Sequence, residues 1–223
     1  MVEPITGLRA ETVAANLERV REEIGSTGRN PSEVQILAAV KYVPVDELGV
    51  LAEAGIELVG ENRAQDLVAK AQTYPDAFTW GFIGHLQSRK VRQLLPHVRY
   101  IETVASDSVL AQLERHASPE TEVLVEVNVA REQGKTGIDP DELPAFLKRC
   151  PVSVVGLMTM PPLAREPDES RPHFAALREL AGEHGLRELS MGTSQDYLVA
   201  VQEGATIVRL GTSLYASNAR TRR

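Results

Sequence analysis

Lys41 directly follows the apolar run Leu37-Ala38-Ala39-Val40. A lysine at the end of a buried strand loses part of its hydration. That raises the share of neutral amine, the form that attacks a carbonyl. One reading is therefore an imine-forming lysine. The plainer one is a side chain reaching solvent at a strand end, and on Lys41 alone it is the stronger of the two. Two later segments carry a different chemistry. Ser190-Met191-Gly192-Thr193-Ser194 lies between a strand and a helix start. Its hydroxyls, with the N–H groups of that helix N-terminus, suit an anion; alternatively Ser194 is only a helix cap. Arg209-Leu210-Gly211-Thr212-Ser213 ends the last strand-like run. Gly211 allows close backbone approach, and Thr212 and Ser213 add hydroxyl and N–H donors. Arg209 stands two residues before Gly211 and shares its strand face. Either it lies beside a ligand ring, or it makes a structural ion pair with a residue such as Glu61.

Other polar residues at strand ends say less. Asn62, Asn128 and Met158 each close an apolar run, and His85 follows Phe82-Ile83-Gly84. His85 reads as a hydrogen-bonded rim residue as readily as a functional one. No second histidine or carboxylate is spaced with it for a metal site, so no metal is expected. Neither a GxxxxGK[ST] loop nor a GxGxxG fingerprint occurs. Cys150 reads as a passive residue between a helix and a strand; no histidine lies near it in sequence.

These residues must be held by regular elements, and the pattern supplies them. Val13, Leu17, Val20 and Ile24 form one helical stripe ahead of the first strand. Strand-like runs follow at 35–41, 57–60, 79–84, 99–104, 122–128, 152–158, 188–191 and 206–210, with helical segments between them. Asp139, Pro140 and Glu142 read as a capping box opening one of those helices. Eight alternating units imply a parallel sheet with right-handed crossovers. In this length they predict a single (β/α)8 TIM-type barrel with an extra N-terminal helix; an open doubly wound sheet is the runner-up. In a barrel the strand C-termini form one face, and phosphate sites recur after strands seven and eight. The two hydroxyl-rich loops then become neighbours, which favours the anion reading of both.

The chain has 223 residues, a formal net charge of −7, 43% hydrophobic residues and one cysteine. One thiol excludes an internal disulfide scaffold, and the negative balance argues against a broad nucleic-acid surface. No segment approaches the roughly 20 apolar residues of a membrane span, and the N-terminus lacks a signal-peptide pattern. A cytoplasmic protein is expected, with residues 1–223 one domain and about 218–223 a flexible basic tail. No long apolar stripe suggests an oligomer, so a monomer is expected.

Six strings sharpen this reading. They are Ala39-Val40-Lys41, Gly60-Glu61-Asn62, Phe82-Ile83-Gly84-His85-Leu86-Gln87-Ser88-Arg89-Lys90, Gly156-Leu157-Met158-Thr159-Met160, Leu189-Ser190-Met191-Gly192 and Val208-Arg209-Leu210-Gly211-Thr212. In this order they resemble the YggS/PROSC family, the pyridoxal phosphate homeostasis proteins. The resemblance implies a barrel like the N-terminal domain of alanine racemase, of the fold-type III kind. It implies pyridoxal 5′-phosphate (PLP) bound covalently, as an aldimine on Lys41. Ser190, Gly211 and Thr212 match phosphate-holding positions, and Arg209 matches the arginine beside the pyridine nitrogen. Asn62, His85, Met158, Gly192, Thr193 and Ser194 complete the expected cofactor-binding set. The chain departs from the family at Thr193, where a methionine is frequent, and at Gly81, where a histidine is.

The expected function is a non-catalytic PLP carrier or buffer, whose partners are PLP itself and, transiently, PLP-dependent enzymes. A racemase of this type needs a second base opposite the lysine, and a second domain supplies part of that face. A chain of this length is not expected to hold one. The alternative is a small PLP-dependent racemase or lyase, with His85 or Tyr42 as second base. A cofactor-free, aldolase-type barrel using Lys41 ranks third.

Overall fold

Val13, Leu17, Val20 and Ile24 recur every three or four residues, so one face of helix α1 (Ala10–Ser26) is apolar and buried. A computed structural model describes residues 3–216 of the chain. The basic tail read at 218–223 lies outside the described residues. After α1, eight strands pair in sequence order, all parallel: β1 (Gln35–Ala39), β2 (Leu58–Glu61), β3 (Thr79–Phe82), β4 (Tyr100–Val104), β5 (Glu122–Glu126), β6 (Ser153–Met158), β7 (Glu188–Thr193) and β8 (Ile207–Leu210). β8 pairs with β1 and closes the barrel. Helices α2 (Leu48–Glu53), α3 (Ala64–Thr73), α4 (Val91–Leu94), α5 (Asp107–His116), α6 (Leu143–Arg149), α7 (Arg171–Glu183) and α8 (Tyr197–Gln202) alternate with the strands.

The core has two parts because a strand's side chains alternate between faces. Outward residues such as Val59, Phe82, Ile101, Val123 and Val208 pack under the helices in one large cluster. Inward residues Leu37, Leu58, Tyr100, Leu124, Met158 and Ile207 fill the lumen as a separate cluster. Small residues make room there. A Cβ on Gly60 would lie 2.3 Å from Leu37 Cδ2, and one on Gly81 3.2 Å from Leu37 Cδ1. Leu37 thus occupies space that larger residues at 60 and 81 would need.

Several boundaries differ from the sequence reading. β1 ends at Ala39, so Val40 and Lys41 lie beyond it. Two of the helical connections are not α-helical throughout: 3-10 turns at Val45–Glu47 and Ser88–Lys90 precede α2 and α4. Asp139 does cap its segment, but its side chain accepts from Asp141 N at 2.9 Å and opens a 3-10 turn before α6. A ninth helix, α9 (Thr212–Tyr215), follows β8; four residues are too few to show a period. It docks on α1, where Asn16 Nδ2 donates to Leu214 O and Ala216 O, each at 3.0 Å. Among the described residues no helix is long and apolar enough to cross a membrane.

Candidate functional site

A cavity of about 610 Å³ opens at the C-terminal end of the barrel. Lys41, two residues past β1, stands on its wall with Asn62 after β2 and His85 after β3. Met158 at the end of β6 and Arg209 of β8 also line it, as do Thr193 and Ser194 from one loop and Gly211 and Thr212 from the next. Nine of the eleven expected site residues therefore meet in one cavity. Ser190 and Gly192 do not line it.

Lys41 is exposed, not partly desolvated as its position after the apolar run predicts. The reason is local. Val40 N still donates to Gly60 O at 2.9 Å, but the strand has ended and the next side chain reaches the rim. Lys41 Nζ sits 5.1 Å from the centre of the Tyr42 ring, within range of a cation–π contact.

Ser190 is fully buried beneath the cavity. Its hydroxyl donates to Glu102 Oε2 at 2.6 Å and accepts from Arg209 Nη1 at 2.5 Å. The hydroxyl is thereby committed to fixing the arginine. Arg209 Nη2 donates to Thr159 O at 2.8 Å and approaches Met160 Sδ at 2.9 Å. The ion pair suggested with Glu61 is not formed. Arg209 lies 3.9 Å from Glu102 instead, while Glu61 pairs with Lys70 at 2.6 Å. Burial pushes the Glu102 carboxyl above its ordinary range, against the pull of Arg209 and the Ser190 hydrogen bond. Burial also works against the Arg209 charge, but a guanidinium keeps its proton in proteins.

The two hydroxyl-rich loops do come together. Gly211 N and Ser213 N both donate to Ser194 Oγ at 3.2 Å. Two N–H groups converge on one oxygen there, and the serine's own proton remains for another acceptor. That free hydroxyl proton, held in place by the two N–H groups, suits a phosphate oxygen. Thr193 contributes less, because its N–H and hydroxyl both donate to Asp196 Oδ1, at 2.7 and 3.1 Å. Gly192 serves the turn. Its φ is +90°, and a Cβ there would lie 2.5 Å from Ala200 Cβ.

Gly84 holds the β2 and β3 loops together. A Cβ on it would lie 2.0 Å from Asn62 O, and its carbonyl accepts from Thr103 Oγ1 at 2.6 Å. Gly84→Ala should cost about 1–3 kcal/mol, the usual range for forced overpacking. Urea unfolding checks this, and a loss below about 0.5 kcal/mol would contradict it.

Sequence reasoning missed Glu102, Glu126, Lys135 and Thr136. A signal existed for the two acids. Glu102 stands inside the run Tyr-Ile-Glu-Thr-Val, and Glu126 shares the Leu124 face of β5. Cys150 caps α6 through Leu147 O, and burial pushes its thiol up, away from the thiolate a nucleophile needs.

The family model for the alanine racemase N-terminal domain matches residues 8–219. A protein of Aquifex aeolicus named pyridoxal phosphate homeostasis protein is 36% identical over 219 residues, spanning 92% of this chain and 96% of that one. A protein of that name from Escherichia coli is 31% identical over 227 residues, spanning 92% and 96%. The structure of PipY from Synechococcus elongatus with PLP bound has a TM-score of 0.77 and 32% identity, covering 92% of this chain and all of that one. Alanine racemase from Corynebacterium glutamicum superposes with a TM-score of 0.70 at 14% identity, covering 97% of this chain and 63% of that one, which is a likeness of fold.

Proposed function

This chain belongs to the pyridoxal phosphate homeostasis family, built on the alanine racemase N-terminal barrel, and on that premise we propose that it binds PLP covalently through Lys41 and carries it without turnover of its own. The observation that supports this most is one cavity joining an exposed lysine to a fixed arginine and to the Ser194 hydroxyl, which the Gly211 and Ser213 N–H groups hold in place. When bound, the cofactor supplies an aldehyde that condenses reversibly with primary amines and a ring that withdraws electrons.

The residues have separable tasks. Lys41 Nζ is the attachment point. Ser194 holds the phosphate through its hydroxyl proton, with the Thr212 N–H beside it, while the Gly211 and Ser213 N–H groups fix the Ser194 oxygen. Arg209 is the residue for the ring nitrogen, and Ser190 and Glu102 hold Arg209 in place. A guanidinium does not give up its proton at neutral pH, so Arg209 would leave a ring nitrogen placed beside it unprotonated. The ring would then be a weaker electron sink than a protonated one. Asn62, His85 and Met158 line the cavity and complete the cofactor-binding set.

A small racemase or lyase is the second reading. It is favoured by one observation: His85 and Tyr42 line the same cavity as Lys41. The two readings part in one assay. Purified protein mixed with PLP should show a new visible absorbance band and no steady conversion of any amino acid. Sustained turnover that is lost in His85→Ala would overturn the carrier reading in favour of the enzyme.

A further inference from the structure

Glu126 ends β5 inside the barrel mouth and is only 7% exposed, yet it lines the cavity. Its Oε1 accepts from Thr136 Oγ1 at 2.6 Å. Its Oε2 has no hydrogen-bond partner among the described residues. No cation of the described chain stands within ion-pair distance of it either. Arg209 acts on it only through space and directs its Nη1 and Nη2 donors at Ser190, Thr159 and Met160. Lys135, one residue before Thr136, is paired with Glu132.

A carboxylate this deeply buried with no cation in direct contact is costly. Here it faces a cavity from which a ligand can supply the missing charge. The loop that carries Thr136 is well anchored, since Ile138 N donates to Glu126 O at 2.7 Å and Asn128 N to Ile138 O at 3.0 Å. The acceptor is therefore held in one orientation before any ligand arrives.

We propose that Glu126 is the recognition element of a second subsite in this cavity, one that takes the primary ammonium group of a small amino acid beside the cofactor. An ammonium brings three N–H donors and a full charge, enough to satisfy Oε2 and neutralise the carboxylate. Placement beside the cofactor rests on the proposed function; the ammonium site itself does not.

Glycine is the probe, titrated calorimetrically into two forms of the full chain. One is cofactor-free. The other is loaded with PLP and reduced with borohydride, so that the cofactor cannot exchange onto glycine. Saturable binding is expected in both. Glu126→Gln, nearly the same shape, should weaken it at least about tenfold, as loss of a buried charge partner does. Thr136→Val, which removes the hydroxyl that orients Glu126, should weaken it too, and it decides the matter if Glu126→Gln does not fold. Trimethylglycine, which has no N–H, should not compete. Absence of saturable glycine binding to the cofactor-free chain would overturn the proposal. So would a Glu126→Gln affinity equal to wild type, or a Glu126-dependent site that takes potassium and ignores glycine. Failure of PLP to attach would instead count against the proposed function, leaving the cofactor-free titration to decide the subsite.

Discussion

Replacing Lys70 with methionine should cost the fold about 3–5 kcal/mol, the usual penalty for breaking a buried ion pair from one side. Lys70 is 7% exposed and Glu61 fully buried. Lys70 Nζ donates to Glu61 Oε2 at 2.6 Å and to Val40 O at 2.7 Å. Glu61 Oε1 accepts from Asn62 N at 2.7 Å and Arg63 N at 3.2 Å. One carboxylate and one ammonium thus tie together the chain just after β1 and just after β2. Methionine leaves the carboxylate charged with no cation and strips the Val40 carbonyl of its donor. In a chain of this length each kcal/mol moves the melting midpoint by roughly 2–4 °C, so the fall should be on the order of 10 °C. Exposed pairs set the contrast. Breaking Arg149–Asp107, 3.0 Å apart on the surface, should change stability by less than about 1 kcal/mol. Adding Glu61→Gln to Lys70→Met should restore part of the loss, because the uncompensated charge goes with it. Equal, small losses for the buried and exposed pairs would show that the buried pair is not what fixes these loops. Val40 precedes Lys41, so the Lys70 variant should also loosen the presentation of that amine.

Lys41→Ala should abolish covalent attachment of PLP. Two lysines line the cavity, Lys41 and Lys135. Lys135 is engaged by Glu132, which ties its Nζ down away from an incoming aldehyde. Lys41 makes no ion pair with the described residues, and its nearest feature is the Tyr42 ring. The variant should still bind the cofactor weakly, through Ser194, Gly211, Thr212 and Arg209. Its spectrum should be that of the free aldehyde, and borohydride treatment followed by dialysis should leave no pyridoxyl group behind. Lys135→Ala should retain the attached form. The reverse result, with attachment surviving Lys41→Ala and lost in Lys135→Ala, would move the nucleophile across the cavity.

The fold was legible because its cues are local and repeated. Buried parallel strands read as apolar runs, and eight of them alternating with amphipathic segments leave few architectures open. The gathering of Lys41, Arg209, Gly211 and Thr212 followed from their positions at strand ends. What stayed hidden depends on which side chain meets which across the barrel. Glu61 stood near the end of one strand and Arg209 near the end of another, so a pairing between them was reasonable. Yet Lys70, one helix later, reaches Glu61 first, and Glu102 on β4 takes the arginine. Ser190 belongs to the same class of surprise. Its hydroxyl, expected at a phosphate, is turned inward to hold the guanidinium. The exposure of Lys41 was hidden for another reason. The apolar run continues through Val40, but the strand stops at Ala39, and hydropathy does not register that difference.

The most direct test is mass spectrometry of the chain after incubation with PLP, borohydride reduction and proteolysis. The expected result is a single pyridoxyl group on the peptide that contains Lys41, with none on the peptide that contains Lys135. Recovery of that Lys41 peptide unmodified, with the pyridoxyl group elsewhere or absent, would contradict covalent carriage of the cofactor at Lys41.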